Sequence, residues 1–404
     1  MVRAMKIPGF RFSAVAAGIK KHGGPDLALL AADEPVPTAG MFTRNIIRAA
    51  PVQITERRVQ AGHLRAILVN SGNANAFTGA AGTMAAERSS AALAEALGCP
   101  EAEIGLCSTG VIGQVLPAEK IVAKAKDLVA GLDEDGMTAF ADAILTTDRF
   151  RKTSELKLGT SDKPVHFAGI CKGAGMIHPD LGGAGKLPRA ADAPHATMLA
   201  FIVTDAVASK ELLTVCLERA VSATFNAVSV DGDTSTNDTV LVMASGRSGV
   251  SLCEDELTDA LTRIARPLAR AMVEDGEGAE HLVDITVRGL KTNDECRTVA
   301  RTIATSPLVK TALAGKDANW GRLVAAAGRS GVDFDAAAIE VRVGGIVLYQ
   351  DGAPRPENDA AANEKMREAS YEIELRLGPG SGSFTYTTCD LGHKYIDVNA
   401  GYRS

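Results

Sequence analysis

The chain has 404 residues, of which 46% are hydrophobic and 23% charged, a composition typical of globular proteins that excludes wholesale disorder. A chain of this length accommodates two or three domains of about 150 residues each, or one large interleaved domain. The formal net charge of −6 argues against a nucleic-acid-binding protein, because neutralising phosphates requires a basic surface.

The sequence carries no signal for membrane insertion or export. No run approaches the roughly 18 apolar residues of a membrane-spanning helix, and no apolar stretch of signal-peptide length precedes Pro8. We therefore expect a soluble, cytoplasmic protein that binds neither nucleic acid nor membrane.

Apolar runs and helical periodicity predict a series of alternating elements. Strands are predicted over 65–70, 103–107, 165–171, 198–204, 239–244, 282–288, 338–349 and 384–389. Helices are predicted over 82–97, from Pro117 onward, and over 136–146, 209–223, 254–274 and 295–314. Because several strands follow each other without a helix between them, we predict a mixed α/β fold of the α+β type rather than a doubly wound parallel sheet.

The segment 180–195 differs in composition from its surroundings. It contains three glycines and two prolines with little periodicity, which predicts an exposed loop. The loop leads directly into a β-rich run that begins after Ala196 and Thr197. Such a loop is either a simple connection or a self-cleavage junction.

Common metal-binding and hydrolase motifs are absent from the sequence. The cysteines and histidines are scattered, and no CxxC, HExxH or GxSxG occurs, so we expect neither a disulfide framework nor a metal site nor a serine-hydrolase elbow. The glycine-rich run before Lys186 lacks the Ser or Thr of a phosphate loop, and the acidic segment 231–237 lacks the pattern of a calcium loop.

A series of short blocks nevertheless resembles one known family. The blocks lie at 70–76, 108–110, 146–148, 172–177, 196–201, 229–238, 275–278, 315–322 and 399–404. In this order they resemble the ornithine acetyltransferase family of arginine biosynthesis, also called glutamate N-acetyltransferase or ArgJ. Any single block is weak, but the ordered series spans nearly the whole chain.

The resemblance implies an ArgJ/DmpA-like layered fold similar to N-terminal-nucleophile hydrolases, and self-cleavage between Ala196 and Thr197. Cleavage would give an α chain, 1–196, and a β chain, 197–404, which the family assembles as a heterotetramer of two α and two β chains. The Thr197 hydroxyl would attack the Ala196 carbonyl to form an ester that water opens. The released α-amine, with a pKa near 7.7–8.0, would then serve as the base for the neighbouring hydroxyl.

The resemblance also assigns site residues. Thr197 is the expected nucleophile and a substrate contact, while the Thr109 hydroxyl and the Gly110 N–H form the expected oxyanion hole. One of Thr146 and Thr147, with Thr147 favoured, is an expected substrate contact. The other expected substrate-binding residues are Lys172, Glu277, Asn399 and Ser404. The run 70–75 is expected to supply turns and backbone hydrogen bonds near the site.

The implied reaction moves an acetyl group from N2-acetylornithine to glutamate by a ping-pong mechanism through acetyl-threonine. Some family members also use acetyl-CoA, and no sequence feature separates the two types, so acetyl-CoA stays open as a co-substrate. No other cofactor is expected.

One departure from the family pattern keeps two alternatives open. Sixteen residues, 180–195, separate Pro179 from Ala196 where the family has two, and this insertion adjoins the predicted scissile bond. The first alternative is a related acyltransferase, aminopeptidase or amidase of a secondary pathway. The second is an unprocessed, inactive chain that serves as a binding partner.

Overall fold

The computed structural model describes residues 5–185 and 198–401, which form two compact units. The first unit contains residues 5–185, 198–226 and 233–272, and the second contains 227–232 and 273–401. These units differ from the predicted chains 1–196 and 197–404, because residues 198–226 belong to the first unit. The division into two chains therefore stays a prediction.

The β-strands are, in chain order, β1 (Phe10–Val15), β2 (Leu27–Thr43), β3 (His63–Asn73), β4 (Ile104–Val111), β5 (Lys152–Gly159), β6 (Pro164–Lys172), β7 (Leu181–Gly183), β8 (Leu199–Thr204), β9 (Val228–Ser229), β10 (Thr239–Ala244), β11 (Leu282–Arg288), β12 (Glu340–Val343), β13 (Ile346–Gln350), β14 (Ala353–Pro354), β15 (Ser370–Arg376) and β16 (Ser383–Cys389).

The α-helices are, in chain order, α1 (Ala50–Gln60), α2 (Gly79–Leu97), α3 (Ala118–Ala130), α4 (Met137–Ala143), α5 (Lys210–Ser222), α6 (Glu254–Glu274), α7 (Asn293–Ala304), α8 (Pro307–Gly315), α9 (Trp320–Gly328), α10 (Asp359–Lys365) and α11 (His393–Gly401). No helix within the described ranges combines the length and apolar character needed to cross a membrane.

The first unit is built on a nine-stranded mixed sheet. Its strand order is β4-β3-β2-β10-β8-β6-β5, and β1 and β7 pair with different parts of the long strand β2. Strand β8 pairs in parallel with β10 and antiparallel with β6. All six residues of β8 are buried, which explains why its sequence is continuously apolar instead of alternating.

An aromatic cluster in the first unit fixes the short helix α4 against the sheet. The Phe140 ring of α4 packs edge-on against Phe12, with ring centroids 5.8 Å apart, and against Phe201 of β8 at 5.4 Å. Each such pair contributes about 0.5–1.5 kcal/mol beyond the burial of its area. Because α4 ends at Ala143, this packing also determines where the following segment, 144–148, begins.

The second unit contains a seven-stranded mixed sheet with the order β14-β13-β12-β15-β11-β16-β9. Strand β11 pairs in parallel with β15 and antiparallel with β16. Helix α7 begins with a capping box, in which the Thr292 hydroxyl accepts from the Glu295 N–H and the Glu295 carboxylate accepts from the Thr292 N–H. Val299 and Ile303 of α7 join the hydrophobic core of this unit.

The structure confirms the predicted mixed α/β fold and corrects three of the predicted elements. The predicted helix 295–314 is two helices, because Pro307 cannot continue α7 and instead starts α8. The predicted strand 338–349 is a hairpin, since Gly344 and Gly345 have φ of +56° and +83° and reverse the chain between β12 and β13. In the predicted exposed loop 180–195, Leu181–Gly183 is a buried strand paired with β2.

Candidate active site

The predicted oxyanion-hole residues lie on β4, beside the end of β3. Strands β3 and β4 run parallel, and Gly110 lies opposite Gly72. Gly110 has φ of +130°, and a Cβ there would lie 2.4 Å from the Gly72 carbonyl carbon, so only glycine fits this close approach. The neighbouring Thr109 is buried, with 1% of its surface exposed.

Hydrogen bonds from side chains of three segments hold this part of the sheet. The Asn237 amide donates to the Ala74 carbonyl at 2.7 Å and to the Ser108 carbonyl at 2.9 Å. The Ser108 hydroxyl in turn donates to Asn70 Oδ1 at 2.5 Å. The run 70–75 therefore supplies hydrogen bonds next to Thr109, as the sequence predicts.

Lys172 is the last residue of β6, and its ammonium reaches the predicted oxyanion hole. Lys172 Nζ donates to Thr109 Oγ1 at 3.1 Å and to Thr146 Oγ1 at 2.8 Å. Lys172 is buried, with 3% of its surface exposed. The structure thus brings together two predicted site residues that are 63 positions apart in the sequence.

Of the two threonines left open by the sequence, Thr146 is the one that contacts Lys172. Thr147 is half-buried, and its side chain makes no hydrogen bond to this group within the described residues. These contacts do not test which threonine binds the substrate, so the preference for Thr147 stays a prediction.

A buried carboxylate, Asp148, lies behind Lys172. Asp148 Oδ2 is 3.8 Å from Lys172 Nζ and accepts from the Thr146 N–H at 3.1 Å. Asp148 Oδ1 accepts from Lys152 Nζ at 2.7 Å and from the Gly173 N–H at 2.7 Å. The side chains of both Asp148 and Lys152 are fully buried. We call Thr109, Thr146, Asp148, Lys152 and Lys172 the Lys172 cluster.

The pKa of Asp148 shows how strongly this site favours the charged carboxylate. Burial by itself would raise the pKa, but the positive charges of Lys172 and Lys152 and the hydrogen bonds to Asp148 outweigh it. The pKa is lowered from 3.8 to about 2. Asp148 is therefore an anion at every pH at which an enzyme of this kind would work.

Sequence reasoning missed Asp148 and Lys152. Asp148 lay inside the block 146–148 but received no role, and Lys152 lay outside every block. Charged residues are solvated far more often than they are buried. The four-residue spacing of Asp148 and Lys152 was the only local signal, and it is equally typical of exposed ion pairs.

The predicted cleavage junction, Ala196 and Thr197, lies outside the described residues, as does Ser404. The first described residue after the junction is Met198, whose N–H donates to Asp238 Oδ1 at 2.8 Å. Burial raises the pKa of Asp238 from 3.8 to about 7, and the hydrogen bond from Met198 offsets only part of this rise. A carboxyl group that titrates near neutral pH therefore lies one residue from the predicted nucleophile.

The other two predicted substrate-binding residues meet within the second unit. Asn399 lies on α11, and its amide donates to Glu277 Oε2 at 3.0 Å and to the Tyr395 carbonyl at 3.0 Å. The loop that carries Glu277 passes close to α11, since a Cβ on Gly278, which has φ of +73°, would lie 2.4 Å from the Tyr395 nitrogen. Asn399 is exposed and Glu277 is half-buried.

No group of three or more His, Cys, Asp or Glu side chains in the described part of the chain is arranged to hold a metal ion. The cysteines are all free thiols, and burial raises the pKa of Cys107, Cys216, Cys296 and Cys389.

Comparison with known proteins identifies the family. The model of the ArgJ family matches residues 11–404. The arginine biosynthesis bifunctional protein ArgJ of Gloeobacter violaceus is 41% identical over 403 residues, covering 98% of this chain and 96% of the relative. The protein of the same name from Syntrophotalea carbinolica is 40% identical over 407 residues, covering 99% of this chain and all of the relative. A solved ArgJ chain from Bacillus halodurans is 37% identical, covers 50% of this chain and 98% of its own length, and has a TM-score of 0.49.

Matches over nearly the full length of both sequences define the class as an acyltransferase of arginine biosynthesis. The chain belongs to the ArgJ family. The predicted family and enzyme class are thereby confirmed.

Proposed function

We propose that this chain transfers the acetyl group of N2-acetylornithine to glutamate through an acetyl ester on Thr197. The observation that supports this most directly is the contact between Lys172 and Thr109 beside Gly110. This contact brings together a buried cation, a hydroxyl and a backbone conformation that only glycine adopts easily, as expected for a site that stabilises a negatively charged tetrahedral intermediate.

In the first half-reaction the Thr197 hydroxyl adds to the acetyl carbonyl carbon, and its proton passes to the Thr197 α-amine. The negative charge that develops on the carbonyl oxygen is stabilised by the Thr109 hydroxyl and the Gly110 N–H. The bond between the carbonyl carbon and the ornithine nitrogen then breaks. The proton returns from the α-ammonium to that nitrogen, so that ornithine leaves and acetyl-Thr197 remains.

In the second half-reaction the amine of glutamate attacks the ester. Its proton passes to the Thr197 α-amine, the ester bond breaks, and the hydroxyl of Thr197 takes the proton back. The products are N-acetylglutamate and the free enzyme. Acetyl-CoA would enter the same route as an alternative donor to Thr197, and the scheme requires no further cofactor and no metal.

This scheme needs an α-amine at residue 197 and therefore cleavage after Ala196. The two resulting chains would stay together, because strand pairs cross the junction. Strand β6 precedes residues 196 and 197 and β8 follows them, and the two pair from Phe167 with Thr204 to Lys172 with Leu199. Strand β2 likewise pairs with β10, and both lie in the same sheet. We propose that the cleaved chains assemble as a heterotetramer in the cytoplasm, as the family resemblance implies.

Substrate recognition would use groups of both charges. N2-acetylornithine carries a carboxylate and a terminal ammonium, and such a ligand requires a cationic and an anionic partner. We assign these roles to Lys172 and Glu277, with Asn399 and Ser404 as further contacts. Of the two threonines, we keep Thr147 as the proposed substrate contact, since the hydroxyl of Thr146 already accepts from Lys172.

The test combines intact-mass measurement with a transfer assay. The purified chain is incubated with N2-acetylornithine and isotopically labelled glutamate, and labelled N-acetylglutamate is followed. We expect two polypeptides that meet at the 196/197 bond, one acetyl group on the chain that begins with Thr197, and labelled product. Thr197→Ala should remain uncleaved, folded and inactive, whereas the matched variant Thr197→Ser should retain cleavage and part of the activity.

Appreciable transfer by Thr197→Ala, or full activity of an unbroken chain, would overturn the proposal. Release of free acetate in place of N-acetylglutamate would identify an amidase of the same family. A single 42.0 kDa species without transfer activity would identify an unprocessed binding homologue.

A further inference from the structure

The Lys172 ammonium determines which way the hydroxyl of Thr109 points. An ammonium group can only donate hydrogen bonds, whereas a hydroxyl has one proton and two acceptor lone pairs. In the contact with Lys172 at 3.1 Å, Thr109 Oγ1 must therefore be the acceptor. Among the described residues the Thr109 hydroxyl makes no other hydrogen bond, so its own proton is directed away from Lys172 and stays available for donation.

The same reasoning applies to Thr146, whose Oγ1 accepts from Lys172 at 2.8 Å. Donation from a charged group also polarises a hydroxyl, because charge-assisted hydrogen bonds are roughly twice as strong as neutral ones. Hydrogen bonds in a chain strengthen one another in a medium of low dielectric constant. Thr109, at 1% exposure, lies in such a medium.

Lys172 itself is held from behind by Asp148. The carboxylate of Asp148 lies 3.8 Å from Lys172 Nζ and is anchored by the Gly173 N–H and the Thr146 N–H. The other oxygen of Asp148, Oδ1, forms an ion pair with Lys152 Nζ at 2.7 Å. Asp148 thus connects the end of β6, the segment after α4 and the start of β5, which are the segments that carry Lys172, Thr146 and Lys152.

We propose that Lys172 is a positioning residue for the oxyanion hole: it orients and polarises the Thr109 hydroxyl toward the substrate carbonyl oxygen, and Asp148 holds Lys172 in place for this task. This inference rests on the proposed function and adds to it. It gives Lys172 a role in the chemical step besides, or instead of, a contact with the substrate carboxylate.

The test is a double-mutant cycle on the rate of acetyl-enzyme formation at saturating N2-acetylornithine, normalised to the amount of the chain that begins at Thr197. Thr109→Ala should lower this rate by roughly a hundredfold or more. Lys172→Met should lower it by about tenfold or more in the wild-type background, but by less than about threefold in the Thr109→Ala background. Such non-additivity is expected only if Lys172 acts through the Thr109 hydroxyl.

Matched variants separate this role from the alternatives. Thr109→Ser retains the hydroxyl and should restore most of the activity. Lys124→Met, which removes an exposed lysine paired with Asp127, should leave the rate unchanged. If Thr109→Ala is not processed, the cycle is repeated with Thr109→Val, which removes the hydroxyl but keeps the shape, and with Lys172→Gln, which should lower the rate constant more than it raises KM.

Two outcomes contradict the inference. If the effects of Thr109→Ala and Lys172→Met multiply, or if Lys172→Met raises KM and leaves the rate at saturation unchanged, Lys172 binds substrate and does not position Thr109. Failure of the proposed function is distinguishable, since the wild-type chain would then form no acetyl-enzyme at all.

Discussion

Two groups of polar residues, the Lys172 cluster and the pair of Glu277 and Asn399, differ in how firmly they are held. The charged side chains of the Lys172 cluster, in the first unit, are buried, and its central carboxylate accepts two hydrogen bonds from backbone N–H groups in addition to its ion pairs. In the second unit, Glu277 in its loop and the exposed Asn399 of α11 are joined by one hydrogen bond. A site for transition-state charge requires fixed donors, whereas a contact with the flexible end of a substrate can adjust as the substrate binds.

The largest expected effect is on the Lys172 cluster, through Asp148→Asn. This change leaves the shape intact but removes the negative charge between two buried ammonium groups. Breaking a buried ion pair from one side costs about 3–5 kcal/mol. We expect a loss of unfolding free energy of about this size, measured by urea denaturation, whereas the control Glu277→Gln should change it by less than about 0.5 kcal/mol. If the two variants lost the same unfolding free energy, the Lys172 cluster would not be more firmly held than the pair of Glu277 and Asn399.

The pH dependence of stability provides a second measurement on Asp148. Its pKa is about 2 in the folded chain and 3.8 in the reference state, so the unfolded chain binds the proton more readily. The stabilisation is therefore complete above about pH 4 and is lost as the pH falls toward 2. Asp148→Asn cannot titrate and should lack this acid-dependent loss, which would be visible as a smaller stability difference from the wild type at pH 2.5 than at pH 6.

How much of the fold could be predicted from the amino-acid sequence depended on the hydrophobicity pattern of each strand. The strands 239–244 and 282–288 were predicted with their observed bounds, because a short, nearly continuous apolar run, as in the first, and apolar residues at alternate positions, as in the second, are both typical of strands. The long strand β2 was missed, because Pro35 and Pro37 interrupt its apolar run. The structure accommodates them beside a register shift between Ala31 and Val36.

For the site, the resemblance of short blocks identified Thr109 and Lys172 without indicating that they touch. Their contact is a tertiary one between β4 and β6, which are not neighbours in the sheet, and no local sequence pattern encodes it. Asp148 and Lys152 could not be recognised because their burial is a property of the packed fold. The block 229–238 marked Asp238, but not that its carboxyl accepts from Met198.

Asp238 differs from Asp148 in its partners. In the described part of the chain, no lysine or arginine lies within hydrogen-bonding distance of its carboxyl group. Its pKa is raised to about 7, so the folded chain retains a proton that the unfolded chain releases above pH 3.8. Stability should therefore fall as the pH rises from about 4 to about 7 and stay constant above that. Asp238→Asn retains an acceptor for the Met198 N–H and should lack this fall.

The measurement is the difference in unfolding free energy between Asp238→Asn and the wild type at pH 5, 6, 7 and 8. We expect the unfolding free energy of the variant, relative to that of the wild type, to increase progressively up to about pH 7. A difference independent of pH would mean that Asp238 does not titrate in this range. The contrast with Asp148 is then complete, because the contribution of Asp148 to stability is lost as the pH falls below about 4, whereas that of Asp238 is lost as the pH rises from about 4 to about 7.

The smallest effect on the fold, and the most specific effect on function, is expected for Glu277. If its carboxylate binds the terminal ammonium of N2-acetylornithine, Glu277→Gln removes a charge-assisted hydrogen bond and should raise KM by roughly tenfold or more while kcat changes little. The matched control is Glu280→Gln, three residues along the same loop, whose carboxylate pairs with Lys394 and Lys316. That variant should leave KM unchanged. Equal KM values for the two variants would show that Glu277 does not contact the substrate and that only the total negative charge of this loop matters. The second unit would then support the fold without a direct contact to the substrate through Glu277.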